Sequence, residues 1–117
     1  MSLDIAHVTI DCDNAGELAE FYAALLERSV DPGGNEFFAT VGKASGTMPA
    51  LMFIKVPDKT PGKNVVHLDL LATDWSEQID RAITLGAKRI GDFDEYGAVW
   101  STFADPEGNL FDIGKAS

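Results

Sequence analysis

His7 and His67 stand sixty residues apart, each on the polar parity of an alternating run, and Asp112 lies near the end of the chain. Two imidazoles and a carboxylate form a donor set for a first-row divalent ion, because neutral nitrogen and anionic oxygen suit Fe, Mn, Ni and Zn. With coordination positions left open, such an ion could polarise an oxygen-bearing ligand or handle O₂. Thr9, Asp11 and Asp69 share the parity of the histidines. These five polar residues, on the first strands of the two halves, would face one concave surface, and a globular domain seldom places five there without a ligand, a metal or water. The competing reading is structural. Both histidines would then be hydrogen-bonded to Asp11, Asp69 or backbone, and Asp112 would pair with a histidine or with Lys115.

The spacing of sixty is not confined to the histidines. Shifted by that amount the chain overlays itself, with Asn14 on Asp74, Glu17 on Glu77 and Leu25 on Leu85. Val8 and Ile10 fall on Leu68 and Leu70. A repeat of this kind implies a duplicated unit, with both histidines at equivalent points near its pseudo-symmetric junction. The same offset carries Asp112 onto Met52, and the run from Pro49 to Val56 contains no acid. A fourth carboxylate ligand from that strand is therefore absent in any register. Met52 reads either as a gap-filling thioether or as part of a ligand-binding wall. Trp100 reads as packing, or as cavity lining if its parity faces inward.

Positioning these residues takes half-buried strands and amphipathic helices. Val8, Ile10 and Cys12 alternate with His7, Thr9 and Asp11, which predicts a strand. Asn14 and Glu17 form a capping box for a helix whose apolar stripe is Leu18, Phe21, Tyr22, Leu25 and Leu26. Strands are expected near Ser29 to Asp31, over Asn35 to Val41, and over Ala50 to Val56. Pro57 to Asn64 reads as a link between a module at about 1–57 and a second at 65–117. The second half repeats the order. A strand runs from Val65 to Ala72, a helix is capped by Asp74 with Glu77 and closed by Gly86, and three strands follow near Lys88, Ala98 and Leu110. The expected fold class is α+β: two βαβββ modules forming a curved mixed sheet around a cavity, with one helix outside each.

Composition narrows the partners. The 117 residues carry 9 basic and 19 acidic side chains, a net charge of −10, so a phosphate backbone would be repelled and nucleic acid is not expected. The field instead suits cationic ligands or metal ions. Cys12 is the single cysteine, which excludes an intramolecular disulfide and fits a reducing compartment. No apolar run approaches the roughly 20 residues of a bilayer span. No signal-like start is seen either, so a cytoplasmic protein without membrane partners is expected.

Two strings carry a resemblance. Asp105-Pro106-Glu107-Gly108-Asn109-Leu110-Phe111-Asp112 closes the chain, and Lys63-Asn64-Val65-Val66-His67-Leu68-Asp69-Leu70 opens the second half. With the paired modules and strand-borne histidines, they resemble the vicinal-oxygen-chelate superfamily, which includes glyoxalase I, bleomycin-resistance proteins, fosfomycin-resistance enzymes and extradiol dioxygenases. The second string is similar to a glyoxalase-like subgroup. The resemblance implies a small-molecule ligand, a homodimer, and a divalent metal held by His7, His67 and Asp112. Asp11 or Asp69 would orient the ligand. Met52 replaces the glutamate of glyoxalase I, which sets that activity aside and leaves a lyase or dioxygenase with three protein ligands. The alternative is a binder of small molecules that uses no metal, as the bleomycin-resistance proteins are. Asp112 is also one methylene shorter than the usual glutamate, about 1.5 Å of reach.

Overall fold

Asn14 opens the first helix as its spacing requires: the side-chain Oδ1 accepts from the Glu17 N–H at 3.0 Å. This meets one of the donors a helix start leaves orphaned. A computed structural model describes residues 5–47, 49–59 and 62–116. Its elements are β1 (His7–Cys12), α1 (Ala15–Leu25), β2 (Phe38–Val41), β3 (Ala50–Lys55), β4 (Leu68–Ala72), α2 (Trp75–Leu85), β5 (Lys88–Glu95), β6 (Ala98–Ala104) and β7 (Leu110–Lys115). The chain divides into two compact units, 1–59 and 60–117. Both sheets are mixed, and the class is α+β.

In the first unit the sheet order is β1-β3-β2, with β1 and β3 parallel and β2 antiparallel to β3. Parallel neighbours need a crossover, and α1 supplies it. The helix buries Leu18, Phe21, Tyr22 and Leu25 over the sheet face that carries Cys12, Ala39, Val41, Leu51 and Phe53. Tyr22 stacks on Phe53 at 5.7 Å and meets the edge of Phe21 at 5.0 Å. The strand expected near Ser29 to Asp31 is reduced to a single bridge between Val30 and Val41. The Pro32-Gly33-Gly34 turn follows at once and leaves no residues to extend the ladder.

Asp31 has a different task there. Its Oδ2 accepts from the Thr40 hydroxyl at 2.6 Å and the Lys43 N–H at 2.9 Å, and its Oδ1 accepts from the Ala44 N–H at 3.2 Å. The Thr40 bond, followed by the backbone bonds and the Lys43 charge, holds the carboxyl below its ordinary value of 3.8 against the opposing effect of desolvation. A depressed folded-state pKa stabilises the fold above the ordinary value, and that contribution is lost as pH falls through the folded one. Asp31→Asn should therefore cost about 1 kcal/mol at neutral pH. The deficit should shrink as pH drops below the ordinary carboxylate value, read by urea unfolding at several pH values. A deficit independent of pH would show that charge at Asp31 is not what braces the loop.

The second unit has the order β4-β7-β6-β5, with β4 and β7 parallel and the remaining pairs antiparallel. Its helix buries Ile79 and Ala82, and the Trp75 indole N–H donates to the Ile113 carbonyl at 2.9 Å. Beneath lie Phe103, Phe111, Ile113 and Ser101, all buried, with the two phenylalanines stacked at 5.6 Å. Gly86 ends the helix in the left-handed region at φ 118°, as expected of a C-terminal glycine. Asp74 departs from its predicted capping role. Its carboxylate accepts from the Gln78 side chain at 3.0 Å and makes no cap bond to backbone. No helix among the described residues is long and apolar enough to cross a membrane.

Candidate metal and ligand site

Each sheet has one face under its helix and one free of it, and the candidate residues sort by parity onto the free faces. On the first unit, Thr9 pairs with Met52, and Met52 with Thr40. His7 pairs with Ala50 and Asp11 with Ile54, so His7, Thr9, Asp11, Met52 and Ile54 share that face. The three β1 residues are exposed and Met52 is half-buried.

On the second unit, Asp69 pairs with Asp112, and Asp112 with Thr102. These rows match: Thr9 and Met52 plus sixty are Asp69 and Asp112. The strand register thus preserves the sequence offset, and Met52 occupies the station equivalent to Asp112.

His67 lies immediately before β4 rather than inside it, since the strand begins at Leu68 and not at Val65. Its Nδ1 is 3.5 Å from Asp69 Oδ1 and 3.7 Å from Asp112 Oδ2. Both separations exceed an N–H···O hydrogen bond. The ring nitrogen faces two carboxylates without being bonded to either. Asp112 is fixed from the far side, where the Thr102 hydroxyl donates to Oδ1 at 2.6 Å. Oδ2 is left toward the histidine. Its side chain is 18% exposed, against 71% for Asp69. Lys115 cannot serve as the partner of Asp112, because it pairs with Ala72 on the parity of the helix-covered face.

The donor atoms of His67, Asp69 and Asp112 lie within 4.8 Å of one another. Opposed ligands on an ion with bonds of about 2.1 Å are about 4.2 Å apart, so small side-chain rotations close the set. One imidazole nitrogen and two carboxylate oxygens fit a divalent first-row ion. The third member of this cluster is Asp69, whereas the sequence reading named His7, which stands on the first unit.

One ladder step along the same face, Leu71, Gly114, Trp100 and Phe93 form a row. Trp100 and Phe93 stack at 5.3 Å with planes 18° apart. A Cβ on Gly114 would come within 3.1 Å of Leu71 Cδ2, so Leu71 lies close over the strand there and would have to shift to admit a side chain. Steps along a strand of two residues span about 7 Å, which puts an apolar, partly aromatic bed beside the donor cluster.

Sequence reasoning missed Thr102 and Asn64. Thr102 carries no motif, but its parity on β6 could have found it. Asn64 fell within the supposed link. Its Oδ1 accepts from the Leu110 N–H at 2.7 Å, and its Nδ2 donates to the carbonyls of Val66 at 2.7 Å and Leu110 at 3.1 Å. The Asp105 to Asn109 turn is built as its composition suggests. Asp105 is buried, and its Oδ1 accepts from the N–H groups of Glu107 and Asn109 at 2.8 and 3.0 Å.

The sequence profile of the glyoxalase-like domain matches residues 7–114. The chain belongs to the glyoxalase-like domain family. No curated protein matches it. Solved structures similar to this glyoxalase-like domain include a glyoxalase/bleomycin resistance protein/dioxygenase family enzyme from Burkholderia phytofirmans PsJN. It has 17% identity and a TM-score of 0.82, with 98% of this chain and 100% of that one covered. A superfamily member from Sphaerobacter thermophilus DSM 20745 is 19% identical over 99% of both chains, with a TM-score of 0.73. The fosfomycin resistance protein FosX from Listeria monocytogenes is 12% identical, with a TM-score of 0.76 over 100% of this chain and 96% of its own. These likenesses concern fold. With the family match they place this glyoxalase-like domain in the vicinal-oxygen-chelate superfamily.

Proposed function

We propose that the domain binds a divalent first-row ion through His67, Asp69 and Asp112 and holds a small oxygen-bearing ligand against it, as a lyase or dioxygenase. The observation that carries this reading is the convergence of one imidazole and two carboxylates within 4.8 Å. When bound, the ion supplies Lewis-acid polarisation of a chelated oxygen. The chain's own residues supply the rest. Thr102 holds Asp112 Oδ1, so that Oδ2 is presented in one orientation, as hydrogen-bond partners of metal ligands do. Trp100, Phe93 and Leu71 receive the apolar part of the ligand. Titration with Zn²⁺ or Co²⁺ should saturate at one equivalent per chain, and His67→Ala should weaken it sharply while leaving a measurable residual affinity from the two carboxylates. Uptake unchanged in that variant would overturn the assignment. His7→Ala, measured alongside, reports whether the first unit's histidine belongs to the donor set.

Met52 favours a second reading. The station equivalent to Asp112 carries a thioether in place of a carboxylate, as in a protein that binds its ligand without metal. In that case a protein that takes up neither ion still binds small molecules. The charge of −10 then favours cationic ones.

A further inference from the structure

One station of the β4–β7 ladder is made by a side chain. In the first unit the equivalent ladder is all backbone: the Ala50 N–H donates to the Ala6 carbonyl at 2.9 Å, and His7 pairs directly with Ala50. Sixty residues on from Ala50 and Ala6 are Leu110 and Val66. There the Leu110 N–H donates to Asn64 Oδ1 at 2.7 Å, and the Leu110 carbonyl accepts from Asn64 Nδ2 at 3.1 Å. A primary amide offers an acceptor and donors, as a peptide group does. Asn64 therefore satisfies both backbone groups of Leu110, and backbone pairing starts only at Leu68 with Phe111.

The consequence falls on residues 65–67. They lie outside the strand, with Val65 and Val66 exposed at 94% and 77%. The same Asn64 Nδ2 donates to the Val66 carbonyl at 2.7 Å, which fixes the peptide leading into His67. The two histidines are thus held differently: His7 by ladder backbone, His67 by an amide clamp anchored two residues before Asp112.

We propose that Asn64 is a positioning residue, a surrogate peptide unit that sets the His67 imidazole between the Asp69 and Asp112 carboxylates. It acts through backbone and touches none of the three donors by any bond described above. Its functional meaning rests on the metal reading, whereas its geometric role does not.

The test has a metal-free arm and a metal arm. By proton NMR without metal, the unsubstituted protein should show a nuclear Overhauser contact between His67 Hε1 and the Asp112 β-protons. Asn64→Ala should remove that contact while the Phe103–Phe111 ring contacts persist. Asn64→Asp keeps the acceptor for Leu110 but loses both donors, and it should also lose the His67 contact. It decides the matter should the alanine variant fail to fold. In Co²⁺ titrations, Asn64→Ala should bind about 10–100-fold more weakly, with no further loss when introduced into His67→Ala. A His67–Asp112 contact that survives in either folded variant overturns the proposal, as does an equal loss in the His67→Ala background. Failure of the unsubstituted protein to take up Co²⁺ would sink the metal reading alone, and the NMR arm would still decide the role of Asn64.

Discussion

Asp112→Asn should weaken Zn²⁺ or Co²⁺ binding by more than about 100-fold, and Asp69→Asn by no more than about 10-fold. The two carboxylates sit side by side in the ladder, so sequence position does not distinguish them. Their surroundings do. Asp112 is 18% exposed, and one oxygen is already bonded to Thr102 at 2.6 Å. Little side-chain entropy remains to be lost when Oδ2 meets an ion. Asp69 is 71% exposed and must be ordered on binding, in competition with water. An asparagine at 112 would keep a partner for Thr102 while replacing the anionic donor with a neutral amide. Isothermal titration of both variants is the measurement. Equal losses would mean that preorganisation by Thr102 does not matter, and a larger loss at Asp69 would invert the roles assigned here.

Phe53→Ala should cost about 3–5 kcal/mol. Phe53 is fully buried at the centre of the β1-β3-β2 sheet, paired with Ile10 and Ala39 and stacked on Tyr22 of α1. Its ladder partner Ala39 is small and buried and cannot refill the space. The adjacent Met52→Ala removes a half-buried side chain from the opposite face and should cost only about 1 kcal/mol. Chemical denaturation compares them directly. Equal costs would show that Met52 packs as a core residue and that the free face of this sheet is not free.

Much of this arrangement was legible in the sequence where the signal is local or periodic. The parity of His7, Thr9 and Asp11 against Val8, Ile10 and Cys12 is reproduced in the strand, and Gly86 closes its helix through a conformation few other residues adopt. The offset of sixty reappears as an identical pairing of Thr9 with Met52 and Asp69 with Asp112. Other features were hidden for physical reasons. Asp74 matched the capping pattern, but Gln78 four residues on competes for its carboxylate. His67 read as a strand residue because Val65 and Val66 favour strands. Asn64, bonded across 46 residues to Leu110, gives no local sign of what it holds. The same holds for Thr102, whose meaning depends on Asp112 in the neighbouring strand.

The two matched rungs, Thr9 with Met52 and Asp69 with Asp112, also bear on how such chains diversify. The parallel strand pair is present in both units, but only one of them carries carboxylates at this rung. The other copy is a spare position, where selection can change a single side chain without reshaping the backbone. Acquiring or discarding a reactive group then requires no new loop, insertion or refolding. A thioether at residue 52 records one outcome of that freedom, and the carboxylate at residue 112 records the other.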